Sequence, residues 1–256
     1  MDRFFASLIF FTRLPWWRLR SVPREAFEPV VDWWPFVGWL TGGVLAGVFI
    51  GAHSLGMPPV LAALLAIASR LLLTGALHED GLADFCDGFG GGSTRERTLS
   101  IMKDSHIGTF GVLGLICYIL LLGTSLFCIA SVSPEFAALT VLMADPFSKM
   151  LAAQTVMAMP YARKEEESKA RNIYRRARFP QYILLLLEGL IPLGLYIWLT
   201  EPDTTQVLIL VLVPALLCTL LNLFIYKRIK GYTGDCNGAI FLLTELSIYI
   251  TATFLI

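Results

Sequence analysis

The chain has 256 residues, 56% of them hydrophobic, with a mean hydropathy of +0.67, which excludes an ordinary soluble domain and makes the bilayer the fitting solvent. Lys plus Arg and Asp plus Glu each total 20, so net charge says little until the charges are placed along the chain, and no nucleic-acid partner is expected. The five cysteines, Cys86, Cys117, Cys128, Cys218 and Cys236, are odd in number and form no CxxC pair, which speaks against a disulfide framework or a zinc site.

Residues 1–11 are apolar behind Asp2 and Arg3 and run into TRLPWWRLR rather than a small-residue cleavage site. This predicts an interfacial helix over 2–11 and no cleavable signal peptide. A membrane span needs about 20 mostly apolar residues, and seven stretches qualify: 33–52, 57–77, 108–132, 136–159, 182–200, 206–226 and 238–256. The second and fourth carry Arg70 and Lys149. The expected fold is therefore all-α: a polytopic membrane bundle of about seven transmembrane helices with short cytoplasmic and interfacial helices, one integral-membrane domain over 1–256. Arg70, Asp145, Lys149, Glu188 and Glu245 lie within spans, where a charge costs at least about 2.5 kcal/mol, so most should face the bundle interior. Asp145 and Lys149 stand four apart on one helix face, either neutralising each other or lining a cavity that a kink at Pro146 would open.

Every other Lys and Arg falls before the first span or in 78–107, 160–181 and 227–237, whereas the connections 53–56, 133–135 and 201–205 hold none. This asymmetry puts the amino terminus and the charged loops in the cytoplasm and the carboxyl terminus outside. The expected location is a bacterial inner membrane. Functional residues far apart in sequence then share one face.

On that face, 77–92 reads LHEDGLADFCDGFGGG. In a helix, Asp80, Asp84 and Asp87 fall within a roughly 60° arc, and three converging carboxylates invite a hard divalent cation, Mg²⁺ or Mn²⁺, of the kind that bridges substrate phosphates. An acidic solvated helix end is the plainer alternative, but it leaves the interleaved glycines unexplained. Ser93 and Glu96 stand at capping-box spacing, predicting a second short helix from Thr94 that carries Lys103 and Asp104 back toward the first site, or that serves only as an amphipathic surface helix. His78 precedes the acids at the membrane edge, where a lone histidine is more often a hydrogen-bonded structural residue than a base. The stretch 163–178, RKEEESKARNIYRRAR, predicts a cytoplasmic helix that meets anionic headgroups. GYTGDCNGA at 231–239 sets Asp235 at the entrance to the last span, as a site member or as a helix cap.

The blocks FFTRLP (10–15), HEDGLADFCDG (78–88), MKDSHIGTFG (102–111), YAR (161–163) and TGDCNGA (233–239) followed by Glu245 resemble the cobalamin synthase family, the adenosylcobinamide-GDP ribazoletransferases, over nearly the whole chain. The resemblance implies a Mg²⁺-dependent inner-membrane enzyme. In it a hydroxyl of α-ribazole, or of its 5′-phosphate, attacks the cobinamide-side phosphorus of adenosylcobinamide-GDP and expels GMP. His78, Asp80, Asp84, Asp87, Lys103, Asp104, Ser105 and Asp235 fall on family motif positions. The chemistry then assigns Asp80, Asp84, Asp87 and Asp104 to the metal, Lys103 or Arg13 to the leaving phosphate, and Asp84 or Asp87 to the attacking hydroxyl's proton. His78, Ser105 and Asp235 are left to contact substrate. Membrane lipids are expected neighbours, and a homo-oligomer is compatible with the chain. Two rivals fit less well. CDP-alcohol phosphotransferases expect Ala-Arg after the DG element, where this chain has Leu82-Ala83-Asp84, and an ion-coupled transporter usually shows internal repeats, absent here.

Overall fold

The computed structural model describes residues 1–163 and 174–255. Among these, ten α-helices follow in order: α1 (Asp2–Phe11), α2 (Trp34–Ser54), α3 (Pro59–Thr74), α4 (Leu77–Gly91), α5 (Arg95–Lys103), α6 (Thr109–Val132), α7 (Pro134–Ala158), α8 (Phe179–Thr200), α9 (Thr204–Ile229) and α10 (Gly234–Ala252). The helix expected over 163–178 lies largely outside the described residues.

Local chemistry sets the boundaries. Asp203 and Gln206 form a reciprocal capping box at the start of α9, and the Ser133 hydroxyl accepts from Phe136 N at 3.1 Å to open α7 after a single-residue break from α6. The cap of α5 is one residue later than the sequence predicts. Thr94, not Ser93, holds the extended backbone and accepts from Arg97 N, because its hydroxyl is the one in reach of the third helical amide.

Among the described residues, five helical segments are long and apolar enough to cross a membrane, or six if the bent pair α3 and α4 counts as one span. Two of the seven expected spans thus differ. The stretch 57–77 stops as a helix at Thr74 and turns by 92° into α4. Gly75 (φ +66°) and Ala76 (φ +55°) both adopt the left-handed conformation, and two such residues in succession redirect the chain. The final helix, α10, is too polar to qualify by composition, yet it runs the length of the bundle. Just before its first turn Tyr232 bridges to Tyr161, and beyond its other end Leu255 O accepts from Gln206 Nε2 at 2.9 Å. It tolerates polar residues because it is packed among α4, α6, α7 and α9 rather than in lipid.

The bundle is organised around α7 and α10. Of the most apolar window of α7, 78% is buried, against 22% for α9, so α9 turns most of its leucines outward, where lipid is their solvent. Helix α2 comes close to α7 because Gly38 and Gly42 face Asp145 and Pro146; small residues permit such approach. Proline is accommodated in α7, which continues from Pro134 to Ala158. As expected, Arg70, Asp145, Lys149, Glu188 and Glu245 are all buried.

Candidate active site

Helices α4 and α10 cross where Gly81 faces the backbone of Asp235: a Cβ on Gly81 would sit 3.1 Å from Asp235 Cα. That contact brings the acid-bearing helix against the Gly-Asp-Cys-Asn-Gly turn of α10, which Thr233 caps by accepting from Cys236 N. Between them opens a cleft of ≈ 300 Å³. Phe10, Phe11, Trp34, Tyr161 and Tyr174 supply aromatic walls, and His78, Asp80, Arg163, Asp235 and Asn237 supply polar groups. His78 is buried in an aromatic stack, with ring centroids 5.8 Å from Phe11, 5.6 Å from Trp34 and 4.9 Å from Phe241. Burial pushes the Tyr174 phenol well above its ordinary pKa, so it stays a hydrogen-bond donor.

A second groove, of ≈ 470 Å³, lies next to the first and is lined by Arg95, Glu96, Lys103 and Arg163. Arg163 therefore faces both. Its Nη1 lies 3.9 Å from Asp235 Oδ2, and its Nη2 donates to Leu99 O at 3.2 Å. Arg95 fastens this side of the molecule by donating to Ile229 O and Ala162 O.

The structure separates the predicted acids. Asp80 lines the cleft, with Asp84 one turn further along α4. Asp87 is buried, and its two oxygens accept from Gly108 N at 2.7 Å and Gly111 N at 2.8 Å. It holds the amino-terminal end of α6, where unpaired amides favour a carboxylate. Asp104 is exposed on the turn after α5 and pairs with His106 Nδ1 at 2.6 Å. That hydrogen bond holds its carboxyl below the usual carboxylate range, and Asp104 does not line the cleft. Ser105 is exposed on the same turn, and Arg13 lies across the α3–α4 bend, its side chain packed against Gly75; neither lines the cleft. Among the described residues no group of three His, Cys, Asp or Glu side chains is arranged to hold a metal ion alone.

Beneath the cleft lies a buried ionic cluster. Arg70 Nη1 reaches Glu245 Oε1 at 2.6 Å and Asp145 at 3.8 Å, while Nη2 donates to Tyr118 at 2.7 Å and lies 3.9 Å from Glu79 of α4. Lys149 pairs with Asp145 and donates to Thr41 at 2.8 Å. The pairing of Asp145 with Lys149 is thus one edge of a larger network.

Residues 3–253 match the family model described as cobalamin-5-phosphate synthase. The chain belongs to that family. It is 32% identical to the adenosylcobinamide-GDP ribazoletransferase of Leptospira interrogans over 98% of this chain and 95% of the relative. It is 36% identical to that of Pseudoalteromonas atlantica over 95% and 88%. The Shewanella frigidimarina enzyme of the same name is 34% identical over 98% and 93%. No solved structure matches the chain. Within this synthase fold, sequence reasoning passed over Arg163 and Asn237 as site residues, although both stand inside motif blocks. It also passed over the aromatic walls, which come from four separate segments and show no local spacing.

Proposed function

We propose that this membrane protein completes cobalamin by joining adenosylcobinamide-GDP to α-ribazole, with release of GMP. The reading rests on one observation above all: Asp80 of α4 and Asp235 of α10 line one cleft, which adjoins a basic groove, in a chain whose full-length relatives carry that activity in their names. A ribose hydroxyl oxygen forms a bond to the cobinamide-side phosphorus, the bond from that phosphorus to the bridging oxygen breaks, and the bridging oxygen leaves on GMP.

The donor set fits a divalent cation completed by substrate. Asp80 and Asp84, one turn apart, would hold Mg²⁺ or Mn²⁺ with phosphate oxygens filling the remaining positions. When bound, such an ion neutralises pyrophosphate charge. Asp235, already in the cleft, takes the proton of the attacking hydroxyl. Lys103 and Arg163, with Arg95 beside them, hold the departing phosphate by charge-assisted hydrogen bonds. The 5′-phosphorylated acceptor fits the same scheme.

Arg95, Arg163 and Lys103 cluster at the cleft end of the bundle, and the connections 133–135 and 201–205 lie with Leu255 at the other. This supports a cytoplasmic active site and amino terminus, an external carboxyl terminus and residence in a bacterial inner membrane. The test is direct. Purified protein in detergent, given adenosylcobinamide-GDP, α-ribazole and Mg²⁺, should release GMP and cobalamin in equal amounts and stop on chelation. Folded protein that yields neither product overturns the reading.

A further inference from the structure

Residues 12–24 contain four arginines, Arg13, Arg18, Arg20 and Arg24, and no acid. All four are exposed, and between them Trp17 and Leu19 stand 55% and 72% exposed. Cations alternate here with large apolar side chains, a pattern that the boundary of a bilayer serves better than water: tryptophan settles among headgroups and arginine meets lipid phosphate. The protein holds the rest of the segment. Trp16 packs against the core and donates from Nε1 to the Thr12 hydroxyl at 3.1 Å, and Arg20 pairs through Nε with Asp2 at the start of α1. Trp17 and Arg18 are thus displayed from a short 3₁₀ turn over Trp16–Arg18, with Leu19 just after it.

The backbone sets the depth of this display. Arg13 N donates to Leu73 O at 2.7 Å in the last turn of α3, where the neighbouring Leu72 is 79% exposed on the apolar half of the bent span. A leucine so exposed near the end of a membrane helix faces lipid, which puts Arg13 where hydrocarbon gives way to headgroups. Trp17 follows four residues later. Of the occupants such a face could take, charge favours an anionic leaflet. A second copy meeting it symmetrically would bring arginine to arginine, and Arg18 and Arg20 line neither the cleft nor the basic groove that would receive a substrate's phosphates.

We propose that residues 13–20 form a docking surface for anionic phospholipid: Trp17 and Leu19 sink among the headgroups while Arg18 and Arg20 pair with lipid phosphates. Phe10 and Phe11, which line the cleft, directly precede this surface, so the same contact holds one wall of the cleft at the bilayer boundary. The assignment stands apart from the ribazole-transfer reading.

Lipid quenching reads the contact directly. Full-length protein is reconstituted in mixed vesicles of phosphatidylcholine and phosphatidylglycerol, with one lipid or the other brominated on its acyl chains near the headgroup. The share of quenching that belongs to Trp17 is the difference between the wild type and Trp17→Phe. Both brominated lipids should quench Trp17, and phosphatidylglycerol should be preferred about fivefold, the factor one arginine contributes beside an anionic surface. That preference should fall toward one at high salt and in the double variant Arg18→Gln, Arg20→Gln. If the double variant does not fold, the salt series on the wild type still decides. A Trp17 that neither lipid quenches, because water or protein covers it, overturns the proposal. So does equal quenching by the two lipids, or a preference that survives both high salt and loss of the arginines. None of these outcomes involves turnover, so the transfer reading stands or falls separately.

Discussion

Asp87 accepts two amides at the start of α6, so its removal leaves both unpaired in a buried place. Asp87→Ala is expected to destabilise the protein by about 1–2 kcal/mol, read as a lowered thermal midpoint in detergent. Asp84→Asn should instead keep the wild-type midpoint and membrane insertion and abolish turnover; near-normal activity at low Mg²⁺ would remove Asp84 from the site. Asp235→Asn should lower kcat with little change in either KM, as befits a proton acceptor. Spacing alone presents Asp80, Asp84 and Asp87 as equivalent, because a helical wheel records only direction about one axis. What distinguishes Asp87 is that α6 begins beside it, a relation across 21 residues that no local pattern encodes. The same holds for Asp104, whose partner His106 is only two residues away, but whose distance from the cleft depends on where α5 ends.

At the scale of elements, the turn between α3 and α4 decides where the acids point. Gly75 is needed there on two counts, a positive φ and the Arg13 side chain packed where a Cβ would stand. Gly75→Ala should cost about 1–2 kcal/mol, measured by thermal unfolding, and lower activity with it. Gly81→Val acts differently: it pushes α4 off α10 at Asp235 and should lose activity more steeply than stability, seen by comparing turnover with the midpoint in the same preparation. The helical character of α4 was legible from its aspartate spacing, and the spans with long apolar runs were legible from length. The bend was not, because one of its two left-handed residues is Ala76, which carries no turn signal. Nor was the helix at 57–77 separable from its continuation, since Leu77 extends the apolar run past the break.

Across the whole molecule, the Arg70 cluster ties α3, α4, α6, α7 and α10 together below the site. Breaking a buried ion pair by removing one partner costs about 3–5 kcal/mol, so Arg70→Met should yield protein that fails to remain monodisperse in detergent, with Arg70→Lys intermediate in size-exclusion profiles. Topology is checked by a reporter fused after Ile256, expected to read external; a cytoplasmic signal would reverse the orientation of α10. The sequence made these buried charges visible as anomalies within apolar runs, and the motif blocks made the family visible. Their mutual contacts came only from the packing, as did the meeting of Asp235 with Asp80 across more than half of the chain.

Helix α10 has a consequence for how the molecule is made. Its first turn supplies Asp235 and Asn237, Glu245 lies midway, and all the helices it packs among precede it in the chain. A segment with two acids enters lipid poorly when alone, so α10 is expected to leave the insertion machinery only into a crevice that α4, α6, α7 and α9 have already formed. Any nascent chain shorter than this point lacks the second wall of the cleft. With the site proposed above, catalysis begins only after the final helix is received by its partners, and a half-made protein is expected not to consume its nucleotide-activated substrate.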